Sequence, residues 1–281
     1  MTPLFRDILH ATDLAPEGDP AFRAALAIAL SAPGSLSIVH LEKLHGRAGH
    51  QWTGFPPVRS TLAEWRRLPA EAPASAVSQT LGLSVAKIDI DGDDLVRDVA
   101  HYLNHHPCDL VVMATHGEGP GGKRGRSHAQ AIAAAVRAPS LFVPASGLGL
   151  VDLVDGRASL RQVLVPIDSR PRADAALAAA VELTRQLGCP ETIFHLLHVG
   201  PGWPMVALPP ALTEGAAGRA RQIRAAGPVA QTILRVADEI AADLIVMATE
   251  GRHGLADAAF GSTAEQVVRD TRRPVLTVPA L

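Results

Sequence analysis

Two aspartates stand where short apolar runs end. Asp13 closes the run Ile8 to Thr12, and Asp168 closes the run Val163 to Ile167. A carboxylate at the end of a buried strand can accept hydrogen bonds from a ribose hydroxyl or an adenine amino group. It can also cap the helix that follows, and the sequence leaves both roles open. A second set lies near the C-terminus: Ala248-Thr249-Glu250-Gly251, nine residues, then Gly261-Ser262-Thr263 at the start of a helical stretch. Glycine lets backbone approach a phosphate closely, and Ser or Thr at a helix start places a hydroxyl beside unpaired N–H groups. Arg252 and His253 lie inside this loop and would add positive charge near a polyphosphate. A glycine that ends a strand and a serine that caps a helix give the same letters without a ligand, so this spacing alone does not decide.

A third set, Gly117 to Arg124, matches Gly-x-x-x-x-Gly-Lys, but Arg124 stands where a Walker A loop needs Ser or Thr to hold magnesium. It also matches the dinucleotide fingerprint, yet it follows a fourth strand rather than a first. What remains is a glycine-rich loop with Lys123, Arg124 and Arg126, read either as a solvated basic loop or as a substitute phosphate clamp. The 12 histidines, densest at 40, 45 and 50 and at 101, 105 and 106, show no zinc spacing with cysteine, and surface or capping roles are expected for them. His195 and His198 fall on opposite faces of one strand. No Ser-His-Asp spacing suggests nucleophilic catalysis.

These residues are positioned by a duplicated unit. The runs ending at Asp13 and Asp168 lie 155 residues apart, and Asp109 to Thr115 is nearly identical to Asp243 to Thr249. Pro139 to Pro144 matches Pro274 to Pro279 in the same order. The second copy lacks about twenty residues between its second and third strands. Within each copy, short β-branched runs without alternation predict parallel strands buried on both faces. Between them fall predicted helices at 19–30, 92–102, 129–136, 173–187, 228–240 and 263–268. Asp19-Pro20 reads as an N-cap followed by proline at the first helical position. An extra helix is expected at 61–68 of the first copy; the matching stretch 200–218 of the second is expected to keep one or two turns at most. The expected fold is α/β: two doubly wound domains, 1–146 and 159–281, joined by a linker at 147–158.

Composition narrows the function. Hydrophobic residues make up 47% and charged residues 19%, which excludes a disordered chain. A net charge of −2 gives no global field for nucleic acid or an anionic membrane. No apolar run approaches a membrane span or signal peptide, and two cysteines form no disulfide framework, so a cytoplasmic location is expected.

The paired copies, Asp-Leu-Ile-Val-Met-Ala-Thr-x-Gly at 243–251, Gly-Ser-Thr-Ala-Glu-Gln-Val-Val-Arg at 261–269 and Arg-Pro-Val-Leu-Thr-Val-Pro at 273–279 resemble the universal stress protein family in tandem form. The resemblance implies five-stranded parallel sheets ordered 3-2-1-4-5. It also implies ATP, or AMP or ADP, held by Gly-x-x-Gly, nine residues, then Gly-Ser/Thr, with Mg2+ as a possible companion. Ala248 stands at the first glycine, Gly251 at the second, Gly261 at the third, and Ser262 and Thr263 at the hydroxyls. Asp168 and Val199 would meet ribose and adenine. In the first copy Asp13 and Gly117 align, but Ser127 and His128 replace Gly-Ser, which implies a degenerate site.

The function expected is a cytoplasmic stress-response protein that binds an adenine nucleotide in its second domain and at most hydrolyses it slowly. The last strands of the two domains would pair as an internal pseudo-dimer, and two chains could associate further. The alternative is a nucleotide-free interaction protein of the same fold.

Overall fold

The computed structural model describes residues 4–43, 54–92, 94–115, 128–136, 138–145, 149–213, 219–250 and 262–280. The first half runs β1 (Asp7–Thr12), α1 (Asp19–Leu30), β2 (Gly34–Lys43), α2 (Val58–Glu64), α3 (Ala76–Leu81), β3 (Leu83–Gly92), α4 (Leu95–His105), β4 (Leu110–Thr115), α5 (His128–Ala135) and β5 (Ser140–Pro144). The second half runs β6 (Gln162–Pro166), α6 (Asp174–Gln186), β7 (Ile193–Val199), α7 (Pro210–Thr213), β8 (Ala220–Ala225), α8 (Val229–Glu239), β9 (Leu244–Glu250), α9 (Ser262–Asp270) and β10 (Val275–Ala280).

The ten strands among the described residues form one sheet in the order β3-β2-β1-β4-β5-β10-β9-β6-β7-β8. Each half therefore carries the expected 3-2-1-4-5 order. Pairing within each half is parallel, and the two halves meet in an antiparallel pair in which Leu276 lies opposite Leu141 and Thr277 opposite Ser140. Across this seam the Thr277 hydroxyl donates to the Ser140 carbonyl at 3.2 Å, and the Gln130 amide donates to the Glu265 carbonyl at 2.9 Å. The last strands thus pair within one chain, each covering the other's open edge.

Apolar residues on both faces of the strands explain the two layers of helices. One face packs Ile8, Leu36, Val163 and Val165 against Phe22, Leu26, Leu177 and Leu183 of α1 and α6, in a cluster that spans both halves. The other face packs Leu9, Val111, Leu164 and Ile245 against Ile132, Ile233, Val236 and Val267 of α5, α8 and α9.

Local chemistry shifts several boundaries from those expected. The extra helix begins at Val58, because Pro57 provides the N-cap position, and it ends before Arg66, which adopts φ +56. A further short helix, α3, follows and stops at Gly82 in the left-handed conformation. In the second half the described part of the corresponding stretch, 200–213, carries the short helix α7. Asp19 is not the N-cap of α1: Gly18 is, and the Asp19 carboxylate instead accepts a hydrogen bond from Arg23 at 2.8 Å, one turn on. Asp94 does cap α4, accepting the Arg97 N–H at 3.1 Å.

The connection between the halves is not a loose tether. Val151 bridges Ala158, and the Leu153 carbonyl accepts both the Arg23 guanidinium at 2.8 Å and the Trp65 indole N–H at 3.1 Å. Gln186 of α6 reaches into the first half, where its amide donates to the Phe5 carbonyl and to the Ser31 hydroxyl.

Candidate functional site

In an open α/β sheet the crevice outside the carboxyl ends of the strands, where strand order reverses, is the natural ligand site. In the second half that point lies between β6 and β9, and a cavity of about 250 Å³ opens there. Its polar lining includes Asp168, Glu250, Ser262 and Thr263, and its apolar lining includes Ile167, Val199, Ile233 and Met247. The volume is close to the lower end of small-molecule pockets, roughly 300 Å³. Ala248 also lines it.

Five of the nine residues expected to bind a nucleotide therefore share one cavity: Asp168, Val199, Ala248, Ser262 and Thr263. Gly251, Arg252, His253 and Gly261 lie outside the described residues. Val199 is the last residue of β7 and pairs with Ala225 of β8, so its backbone sits at the carboxyl edge of the sheet. Ser262 and Thr263 open α9, whose first turn offers N–H groups and the positive end of the helix dipole.

Asp168 does not cap α6. The cap position belongs to Ala173, which makes no side-chain cap bond. Instead, Oδ1 of Asp168 accepts the N–H of Ser169 at 2.6 Å and its hydroxyl at 3.3 Å, while the carboxylate remains solvent-exposed at the cavity rim. Asp13 behaves alike, accepting the Ala15 N–H at 3.1 Å without capping α1. Of the other residues expected at the degenerate first-half site, Gly117, Lys123, Arg124 and Ser127 lie outside the described residues.

Two charged residues of the cavity lining lie outside the set expected from the sequence. Glu250, the last residue of β9, adds a second exposed carboxylate, and Arg170 adds a guanidinium from the loop after Asp168. Glu250 falls inside the Ala-Thr-Glu-Gly motif, so position alone could have indicated it. Arg170 carries no local signal, because only the turn of the loop brings it to the rim.

The histidine expectation needs correction. His10, His40, His195 and His198 are buried strand residues rather than surface or capping groups. His40 Nδ1 lies 3.0 Å from the Asp89 carboxylate, and His198 Nδ1 lies 3.2 Å from the Ile167 carbonyl. Burial, with Arg221 nearby, holds the His195 imidazole below its ordinary pKa. Among the described residues no group of three or more His, Cys, Asp or Glu is placed to hold a metal. The Cys108 thiol is pushed up to about 12 by burial, with Asp109 adding to the shift, which makes it a poor nucleophile at neutral pH.

The fold and cavity define the class: a tandem of two doubly wound α/β units sharing one sheet, with a ligand-sized hollow at the switch point of the second. Residues 211–279 match the universal stress protein family. No curated protein matches the chain. Among solved structures, a universal stress protein from Archaeoglobus fulgidus DSM 4304 is similar with 16% identity and a TM-score of 0.63, over 99% of this chain and 98% of that one. A putative universal stress protein from Pseudomonas aeruginosa UCBPP-PA14 is 16% identical with a TM-score of 0.59, over 98% of this chain and 93% of that one. The chain thus has the tandem universal stress protein fold over nearly its whole length, with the family's sequence pattern in its second half.

Proposed function

We propose that the second half binds an adenine nucleotide, ATP or its di- or monophosphate, and that the bound state serves as a cytoplasmic stress signal. The observation that carries this reading is the single cavity shared by Asp168, Val199, Ala248, Ser262 and Thr263. The adenine would lie against Val199 and neighbouring apolar side chains, and Asp168 would accept from ribose hydroxyls. The α9 N-terminus, with the Ser262 hydroxyl, would meet the phosphates. Were Mg2+ to accompany the nucleotide, the rim carboxylates Asp168 and Glu250 would be the groups to hold it, and it would offset phosphate charge.

The first half is read as a structural partner. Because β5 and β10 already cover each other, any association of two chains would use other surfaces. No helix among the described residues is long and apolar enough to cross a membrane.

Native mass spectrometry of the full chain with ATP and Mg2+ tests the proposal. One nucleotide per chain is expected, lost on replacing Gly261 with leucine while circular dichroism is unchanged. A folded wild-type chain with no nucleotide bound, and no calorimetric response to ATP, AMP or ADP, overturns it and leaves the nucleotide-free interaction protein.

A further inference from the structure

The first half contains a second cavity on the opposite face of the sheet. Its volume is about 220 Å³, and it lies between the end of β1, the start of α1 and residues 54–57. Its walls include His10, Thr12, Phe22, Phe55 and Pro56. Side chains alternate along β1, so His10 and Thr12 share the α1 face with Ile8, whereas Leu9 and Ala11 face α5. The nucleotide-type cavity of the second half opens instead toward Ile233 and Ala264 of the α8 and α9 layer. The two hollows are therefore not copies of one site.

His10 is the unusual wall. It is 1% exposed, and its Nδ1 lies 3.1 Å from the Val112 carbonyl of β4. A carbonyl only accepts, so Nδ1 carries the proton and Nε2 presents a lone pair. That nitrogen, on the side of the ring away from Val112, has no hydrogen-bond partner among the described residues. A buried acceptor without a donor is costly, and native proteins rarely retain one without a use for it.

The duplication shows that the fold itself does not require this group. In the second half Val165 occupies the place of His10, as the matched pairings His10 to Ile38 and Val165 to Leu196 show. By the same alignment Ile167 replaces Thr12. Both replacements are fully apolar and buried. The first half thus carries two polar groups on a wall that is apolar in the second half.

We propose that this cavity is a binding site for a small uncharged molecule with an apolar body and one hydroxyl or N–H donor, of the phenol class, whose donor bonds to His10 Nε2. The volume is sufficient, since a dry cavity of about 150 Å³ already accepts benzene. Phe22, Phe55 and the prolines supply the apolar contact. Asp19 at the wall and Asp13 nearby disfavour an anion, and Asp19 is itself held by Arg23 at 2.8 Å, which removes the attraction for a cation. Burial lowers the His10 pKa to about 4, so the ring stays neutral and accepting under ordinary conditions.

Phenol itself is the probe. Titrating it into the full-length protein, with the histidine ring nitrogens followed by 15N NMR, should shift the His10 Nε2 resonance saturably and raise the melting temperature. His10→Val, which installs the residue of the second half, should weaken phenol binding by about tenfold or more, as expected for a lost buried hydrogen bond. Ala15→Leu, at the half-buried edge of the cavity, should weaken it by filling space. Equal phenol affinity in wild type and His10→Val overturns the proposal. So does a wild-type crystal soaked in phenol that shows only water against Nε2.

Discussion

Asp243 and Gln162 form a reciprocal clamp at the base of the second half. The Asp243 N–H donates to the Gln162 carbonyl at 2.8 Å, and Oδ2 of Asp243 accepts the Gln162 N–H at 2.8 Å and the Arg161 N–H at 2.7 Å. The first half repeats the arrangement: the Asp109 N–H donates to the Asp7 carbonyl at 2.8 Å, and its Oδ2 accepts from Arg6 and Asp7, both at 2.9 Å. Each aspartate fixes the entry of the first strand beside the fourth, and so the register of the strand that ends in Asp13 or Asp168. Asp243→Ala should destabilise by about 1 to 3 kcal/mol, given hydrogen bonds to a charged group that are only partly shielded from water. Asp109→Ala should cost about as much, and the double variant should be close to additive because the clamps share no partner. Urea unfolding of the full chain measures all three.

The paired aspartates show how much of this fold is legible in sequence. The duplication, the strand order and the shortened second copy all follow from apolar runs that parallel strands must have, and each was recoverable from spacing. Asp109 and Asp243 appeared as repeated letters, but their role depends on backbone groups about a hundred residues away in the first half and about eighty in the second, which no local pattern encodes. The cavity at Asp168 was legible for a similar reason: strand ends in a doubly wound sheet converge at a known place. His10 was not, because a histidine inside a strand reads the same whether or not its second nitrogen finds a partner. Arg170 was missed because an irregular loop, not a periodic element, carries it to the rim.

The linker offers a second test. Gly156 has φ +70, and a Cβ placed there would lie 2.4 Å from Cδ2 of Trp65. Trp65 cannot retreat easily, since it is buried and its indole is bonded to Leu153. Gly156→Ala should therefore destabilise by about 2 to 4 kcal/mol, combining left-handed strain with overpacking. Thermal melting followed by tryptophan fluorescence should show a lower midpoint with a disturbed Trp65 environment. An unchanged midpoint would mean that the linker does not pack on the first half in solution.

The charge lining the second-half cavity predicts a metal requirement. Asp168 and Glu250 set two carboxylates against the single guanidinium of Arg170 among its described lining residues. Those two carboxylates weaken the hold on a triphosphate, and a divalent cation offsets them, because Mg2+ is held by carboxylates together with phosphate oxygens. Calorimetric titration should show ATP affinity falling by about tenfold or more when Mg2+ is replaced by EDTA, a difference worth about 1.4 kcal/mol. Glu250→Gln should lessen that dependence, whereas affinity for adenosine, which carries no phosphate, should be indifferent to the metal.

Buried His10 makes stability depend on pH. Its folded-state pKa, lowered to about 4 chiefly by burial and only partly restored by the Val112 carbonyl and Asp13, lies below the ordinary 6.5. Above pH 6.5 the ring is neutral in both states, so its titration takes nothing from stability. As the pH falls from 6.5 toward 4 the unfolded chain takes up a proton that the folded chain refuses, so stability declines; below about 4 both states are protonated and the decline from this group ends. The full loss is on the order of 3 kcal/mol. His10→Val removes this contribution, so its stability advantage over the wild type should grow by that amount between pH 7 and pH 4, read as the difference between the two urea midpoints at each pH. Parallel curves for the two proteins across that range would show that His10 is accessible to protons in the folded state, and with it that the cavity wall opens to water.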